Sequence, residues 1–254
     1  MKVFLLCVSL LTGLSPWALA QAKDWASEPP SFGTAKNRLY QVYTSHHLLR
    51  TFYCGCAFDG ATHQVDLNTC PAVKDKKRGG QVEWEHIVPA SRIRRFPWTP
   101  ASFAPSCQGE VDPEGCAEHR AQGKPAAVSN PYNLVPSSGA VNAARSNRRM
   151  VEFEQTTGGR ALCTLHFGAN GGEVEPGDQR KGPVARAYLY MDQSVFWGEL
   201  LGEGERALYQ RWSDAHRVTE AECLRAEVIR EHTGVVNLLV EGLCRPKGKV
   251  SSAH

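Results

Sequence analysis

The sequence predicts a fold that mixes α-helices with short β-strands and is held together by disulfide bonds. Three observations carry this. Apolar residues recur near helical spacing over 35–52 and again over 199–216 and 220–232, whereas the stretch ending in Glu85-His86 and the run 184–191 read as strands. Eight of the nine cysteines lie beyond Ala20, an even number suited to pairing. The length of 254 residues is enough for one core with insertions, and a single domain over 21–245 is expected.

The chain opens with Met1-Lys2 and an apolar run over 3–14. Ala18-Leu19-Ala20 follows, with small residues at the two positions a signal peptidase reads. A secretory signal over 1–20, cleaved after Ala20, is expected. Gly13, Ser15 and Pro16 cut the apolar run well below the roughly 20 residues that a spanning helix needs, so no membrane partner is expected. The mature chain should be exported, to the periplasm or the medium.

Export suits the cysteines. Cys7 leaves with the signal, and Cys54, Cys56, Cys70, Cys107, Cys116, Cys163, Cys223 and Cys244 remain as a framework of up to four bridges. Cys54 and Cys56 are too close in sequence to bond each other easily, so each should reach a distant partner. A zinc site would need wider spacing and a second pair. Cys107 and Cys116 are placed to close a short loop; the other pairings stay open.

Each element has its own signal. Residues 21–33, with Pro29 and Pro30, read as a loose leader. Leu39, Val42, Tyr43, Leu48 and Leu49 sit near helical spacing, which predicts a helix leading to Cys54. The stretch 74–80 is a basic turn, and 96–124, rich in Pro, Gly and charge, is a disulfide-pinned loop. Asn130 before Pro131 has the cap-then-proline order of a helix start, with Asn133 in its first turn. A helix over 139–155 would place Asn142, Arg145 and Arg149 on one face and turn Val141, Met150 and Phe153 inward. A strand over 184–191 and two helices follow, and 246–254 reads as a disordered tail.

Net charge is only +3, which alone demands no polyanionic partner. Chemistry is carried instead by two motifs, Glu83-Trp84-Glu85-His86-Ile87-Val88-Pro89-Ala90 and Asn130-Pro131-Tyr132-Asn133-Leu134-Val135-Pro136. Phosphodiester hydrolysis needs a base for the attacking water and a counter-charge for the phosphate and the leaving oxygen. A histidine titrating near neutrality can serve as the base. A divalent ion such as Mg²⁺ can supply the counter-charge while taking few protein oxygens. Glu85 and Asn133 fit as its ligands, with His86 as the base. In a regular strand Glu85 and His86 would point to opposite faces, so the strand must end or bend there, and Pro89 supports an ending. Arg92, Arg94 and Arg95 follow the motif, the basic stretch 74–78 precedes it, and Arg145, Arg148 and Arg149 come after Asn133. Read singly, each of these features is commonplace. Together they bracket the candidate site with the positive charge a polyanion would require.

The two motifs, together with Gly139-Ala140-Val141-Asn142-Ala143-Ala144-Arg145-Ser146-Asn147, Tyr53-Cys54-Gly55-Cys56 and the stretch 180–191, resemble the bacterial endonuclease I family from about Leu39 to Cys244. The resemblance implies an α+β fold around a ββα-metal (His-Me finger) motif. It implies an exported nuclease of little sequence specificity, cutting DNA and RNA to 5′-phosphate and 3′-hydroxyl ends. Mg²⁺ would be the working ion, with Ca²⁺ able to take the same site. His86 would be the general base, Glu85 and Asn133 the metal ligands, and Glu83 a nearby acidic residue. Arg92, Arg94, Arg95, Asn142, Arg145 and Arg149 would meet the nucleic acid. The sequence departs from the family at one place. The family carries an arginine three residues before a cysteine in the loop between the motifs, and that position before Cys116 is Pro113. Arg120 is the expected replacement, ahead of Arg94 and Arg145. A monomer is expected. The rival readings are a catalytically weak nucleic-acid-binding module on the same scaffold and a metalloprotease, and the absence of a His-Glu-x-x-His pattern argues against the latter.

Overall fold

Ser31 opens the first helix, its hydroxyl accepting from the Thr34 amide at 3.2 Å, and helix α1 runs Phe32–Ser45. The computed structural model describes Trp25, Glu28 and residues 29–70, 72–154 and 159–244; the expected signal sequence and the tail 246–254 lie outside the described residues. Helix α1 buries Ala35, Leu39, Val42 and Tyr43 in a cluster with Trp84, Leu134 and Val228. It starts and stops earlier than the apolar spacing predicts, because Ser31 supplies a cap and His47 beyond its end takes a positive φ of 55°.

The basic stretch forms one helical turn, α2 (Lys76–Gly79), capped by Asp75. Strand β1 (Val82–His86) follows, and then α3 (Ala90–Arg95). The expected loop 96–124 instead holds α4 (Pro100–Phe103) and α5 (Pro113–Ala121), and α6 (Lys124–Ser129) begins at its end. Pro100 and Pro113 sit in the first turns of α4 and α5, where a missing N–H costs nothing, so part of the composition that reads as loop is the punctuation of short helices. Cys107 and Cys116 are bonded, as expected.

No helix starts at Asn130. That residue ends α6, and its Oδ1 accepts the Tyr132 amide at 3.0 Å in an Asx turn, the alternative use of an Asn before proline. The chain then enters β2 (Leu134–Ser138), which pairs antiparallel with β1, His86 facing Leu134 and Glu85 facing Val135. Helix α7 (Gly139–Arg145) begins where β2 ends and packs on both strands. It stops well short of 155, since Ser146 takes a positive φ of 49° and Arg149–Met150 form β3.

Strands β4 (Ala161–Leu162), β5 (Leu165–Phe167) and β6 (Glu173–Pro176) join β3 in a second sheet of order β3-β6-β5-β4. The run 184–191, expected as a strand, lies largely in helix α8 (Asp178–Tyr190), which buries every residue from Val184 to Tyr190. A helix enclosed on all sides has no polar face, so its period is not visible and its Val and Tyr content reads as strand. Helix α9 (Glu203–Ala215) packs on α8. Helix α10 (Glu220–Thr233) starts with a Thr219–Glu222 capping box, and α11 (Leu238–Glu241) closes the described chain.

Cys54 bonds Cys163, Cys56 bonds Cys70 and Cys223 bonds Cys244, so the neighbouring Cys54 and Cys56 do reach different partners. The fold is α+β and disulfide-stabilised. Among the described residues no helix is long and apolar enough to cross a membrane.

Candidate active site

The strand pair and α7 wall a cleft of about 420 Å³, lined by Arg78, Glu85, His86, Arg94, Asn142 and Arg145 among others. Strand β1 ends at His86, still paired with Leu134, and Glu85 and His86 both line the cleft, as the sequence required of a strand that ends there. Glu83, two residues before Glu85, lies at the edge of this site. Its two oxygens accept from Arg78 Nε at 2.9 Å and Nη2 at 3.0 Å, and Asn142 Nδ2 donates to Oε2 at 2.8 Å. Gly139 permits this approach at the start of α7. A Cβ there would come within 2.6 Å of the Arg78 carbonyl and 2.7 Å of Glu83 Oε1.

Glu85 is 4% exposed. Its Oε1 accepts from Arg145 Nη1 at 2.7 Å, with the Tyr53 hydroxyl at 3.5 Å. No protein group bonds its Oε2 among the described residues. Burial pushes the carboxyl up to about 7, against the pull of Arg145.

His86 Nε2 lies 2.8 Å from the Val128 carbonyl, so Nε2 carries the proton and Nδ1 keeps its lone pair. The Phe32 ring packs 4.9 Å from the imidazole. Burial pushes the ring down to about 4; the Val128 carbonyl opposes this while Arg94 and Arg145 add to it. At neutral pH the imidazole is therefore uncharged with a free lone pair on Nδ1, but its pKa lies below the near-neutral value expected of the base from sequence, because burial disfavours its charged form.

The remaining expected residues fall into two groups. Arg94 and Asn142 line the cleft, and Arg94 has no acidic partner among the described residues. Arg145 also reaches the cleft, but as a fully buried brace that donates to Glu85, to the His86 carbonyl at 2.6 Å and to the Ile87 carbonyl. It is not positioned as a solvent-facing phosphate clamp. Asn133 is fully buried, and its amide is engaged at both ends, Oδ1 accepting from Val88 N at 2.7 Å and Nδ2 donating to Val88 O at 3.1 Å. It fastens the chain after His86 rather than facing the cleft. Arg92 grips Glu205 and the Leu200 carbonyl, Arg95 reaches Ser91, and Arg149 pairs with Glu173 from β3. Arg120 donates to Ser106, pairs with Glu110 at 3.6 Å and packs over Trp197, away from the residues that line the cleft.

Sequence reasoning missed Phe32, Tyr53 and Val128 at the site, and no spacing points to them. Asn142 carries the donor set the cleft offers to a cation. Its Oδ1 and Glu85 Oε2 are oxygens without a protein partner among the described residues, and two hard oxygens suit a hard divalent ion.

A strand pair running straight into a helix, with acid, imidazole and amide in one cleft, fits a hydrolase of the endonuclease I class. The family model Endonuclease I matches residues 31–196, and the chain belongs to that family. An extracellular deoxyribonuclease of Aeromonas hydrophila is 30% identical over 239 residues, 89% of this chain and 95% of that protein. A periplasmic deoxyribonuclease of the same organism is 29% identical, covering 87% of this chain and 89% of its own. Endonuclease-1 of Buchnera aphidicola subsp. Baizongia pistaciae (strain Bp) is 29% identical, covering 77% of each.

Proposed function

We propose that the protein is an exported endonuclease that hydrolyses phosphodiester bonds of DNA, and of RNA, with little sequence specificity, leaving 5′-phosphate and 3′-hydroxyl ends. The observation that carries this reading is the tautomer of His86. With Nε2–H held by the Val128 carbonyl, Nδ1 is left as the basic atom of a residue that lines the same cleft as Glu85 and Asn142. Export is supported by four disulfide bonds and by relatives named as extracellular and periplasmic deoxyribonucleases.

In this reading Glu85 and Asn142, in place of Asn133, would hold Mg²⁺, or Ca²⁺ at the same position. A bound divalent ion supplies counter-charge to the phosphate and to the departing 3′ oxygen. His86 Nδ1 takes a proton from the attacking water, and the Val128 carbonyl keeps the resulting imidazolium oriented. Arg94, the cleft cation without an acidic partner, faces the phosphate. Glu83 orients the Asn142 amide through its 2.8 Å hydrogen bond.

The test is incubation of the purified protein with plasmid and with RNA, in Mg²⁺ and in EDTA, beside His86→Ala. Both substrates should be cut in Mg²⁺ and spared in EDTA. His86→Ala should lose orders of magnitude in turnover and keep most of its DNA affinity. Turnover equal to the parent would overturn the assignment of the base.

A further inference from the structure

Away from the cleft, two histidines from opposite ends of the sequence meet. His46 caps the C-terminus of α1 and His232 lies in the last turn of α10, and their Nε2 atoms are 2.8 Å apart, with ring planes at 72°. Two imidazole nitrogens at this distance share one proton at most, because each can offer its lone pair only while it lacks the hydrogen. Protonation of both rings would set two positive charges in contact. One nitrogen of the pair must therefore face the other with its lone pair.

The rings meet head-on, with centroids 5.0 Å apart, and a divalent ion taking the place of the shared proton would turn each ring so that its lone pair aims off the line between the two nitrogens. Nitrogens each about 2.0 Å from one zinc ion stand roughly 2.9 Å apart at a right-angled N–Zn–N and about 3.3 Å apart at a tetrahedral one. Turning both rings and opening the pair by a few tenths of an ångström would admit an ion. His46 is half-buried and His232 exposed, and among the described residues no other hydrogen bond holds either ring. Among the described residues no third His, Cys, Asp or Glu ligand atom joins the two, so water would complete the shell.

We propose that His46 and His232 form a second metal site, distinct from the cleft, for a borderline divalent cation such as Zn²⁺. Paired imidazoles select zinc, copper or nickel over Mg²⁺, which prefers oxygen. An ion here ties α1 to α10 across 186 residues of sequence, and α1 also carries Phe32, which packs on His86. The site makes no use of the cleft residues, so its test is independent of the proposed nuclease mechanism.

The test is a calorimetric titration of the metal-stripped protein with Zn²⁺ alone, in the parent, His46→Ala, His232→Ala and His86→Ala, with circular dichroism to confirm folding. The parent and His86→Ala should both show a zinc site that excess Mg²⁺ does not displace. Either substitution in the pair should weaken it at least tenfold, and Cu²⁺ loaded at that site should show nitrogen hyperfine splitting from two imidazoles. Equal zinc binding in the parent and in both pair variants would overturn the proposal. So would loss of all zinc binding in His86→Ala alone, and so would a hydrogen-bonded pair that takes no zinc.

Discussion

Arg145 Nη1 donates to Glu85 Oε1 at 2.7 Å, with the arginine side chain fully buried and the carboxylate 5% exposed. The same guanidinium also satisfies the carbonyls of His86 and Ile87, so one side chain fixes the end of β1 where acid and base must diverge from strand geometry. A buried pair of this kind is weak evidence of net stabilisation, yet breaking it by removing one partner is costly. Arg145→Met should lose about 3–5 kcal/mol, because it leaves the Glu85 carboxylate and two carbonyls without donors. The double variant Arg145→Met, Glu85→Leu should recover part of that loss while remaining inactive. Urea unfolding of the three proteins checks this, and a single variant as stable as the parent would show that the pair braces nothing.

Asn133 and Asn142 sit in different surroundings. The Asn133 amide closes two hydrogen bonds on Val88, while Asn142 donates to Glu83 and lines the cleft. Asn133→Ala should cost about 2–4 kcal/mol, since it orphans a buried N–H and C=O, and should leave the Mg²⁺ midpoint of any folded fraction unchanged. Asn142→Ala should cost little stability and raise that midpoint by roughly tenfold or more. Metal titration of nuclease activity, paired with thermal unfolding, separates the two; the opposite pattern would restore Asn133 as the ligand.

Arg94 and Arg120 make the corresponding contrast for the phosphate. Arg94 lines the cleft and has no acidic partner among the described residues, whereas Arg120 is taken up by Ser106, Glu110 and Trp197. Arg94→Ala should lower kcat/KM by roughly a hundredfold and flatten the salt dependence of DNA binding by about 0.9 in log–log slope. Arg120→Ala should change neither, and should reduce stability by about 1–2 kcal/mol through lost packing and hydrogen bonds. Kinetics at several salt concentrations distinguish them, and a large activity loss confined to Arg120→Ala would return the role to that residue.

These contrasts mark how far the sequence could be read. The strand ending at His86 is legible because Glu83, Trp84 and Glu85 alternate and Pro89 stops the run. Helices α9 and α10 are legible because each keeps a polar face and an acidic first turn. Helix α8 is not, since a helix buried all round shows no period. Arg145 is misread for a related reason. An arginine on a helix beside other arginines resembles a solvated face, and only the tertiary return of β1 over α7 reveals it as fully buried. Asn133 and Asn142 are likewise told apart only in three dimensions, because both follow the Glu-His motif and only Asn142 lines the cleft.

Arg92 offers a prediction that depends on pH and not on the cleft. Its guanidinium donates two hydrogen bonds of 2.7 Å to the two oxygens of Glu205 and a third to the Leu200 carbonyl, joining α3 to α9. Burial alone would raise the Glu205 carboxyl, but the paired hydrogen bonds and charge of Arg92 outweigh it and hold the group below its usual range. A carboxyl whose folded value is depressed stabilises the fold above its unfolded value of about 4.3 and loses that contribution as pH falls through the folded value. Both side chains keep 27% exposure, so solvent screening limits the gain to about 1 kcal/mol. Glu205→Gln should therefore unfold about 1 kcal/mol more easily than the parent near pH 7. The gap should narrow as pH falls below that unfolded value and close once the parent's carboxyl is also protonated. Urea midpoints at a series of pH values from about 7 downward measure it. A gap that stays constant across them would mean that Glu205 acts through shape and not through charge, and that Arg92 is free to serve the nucleic acid after all.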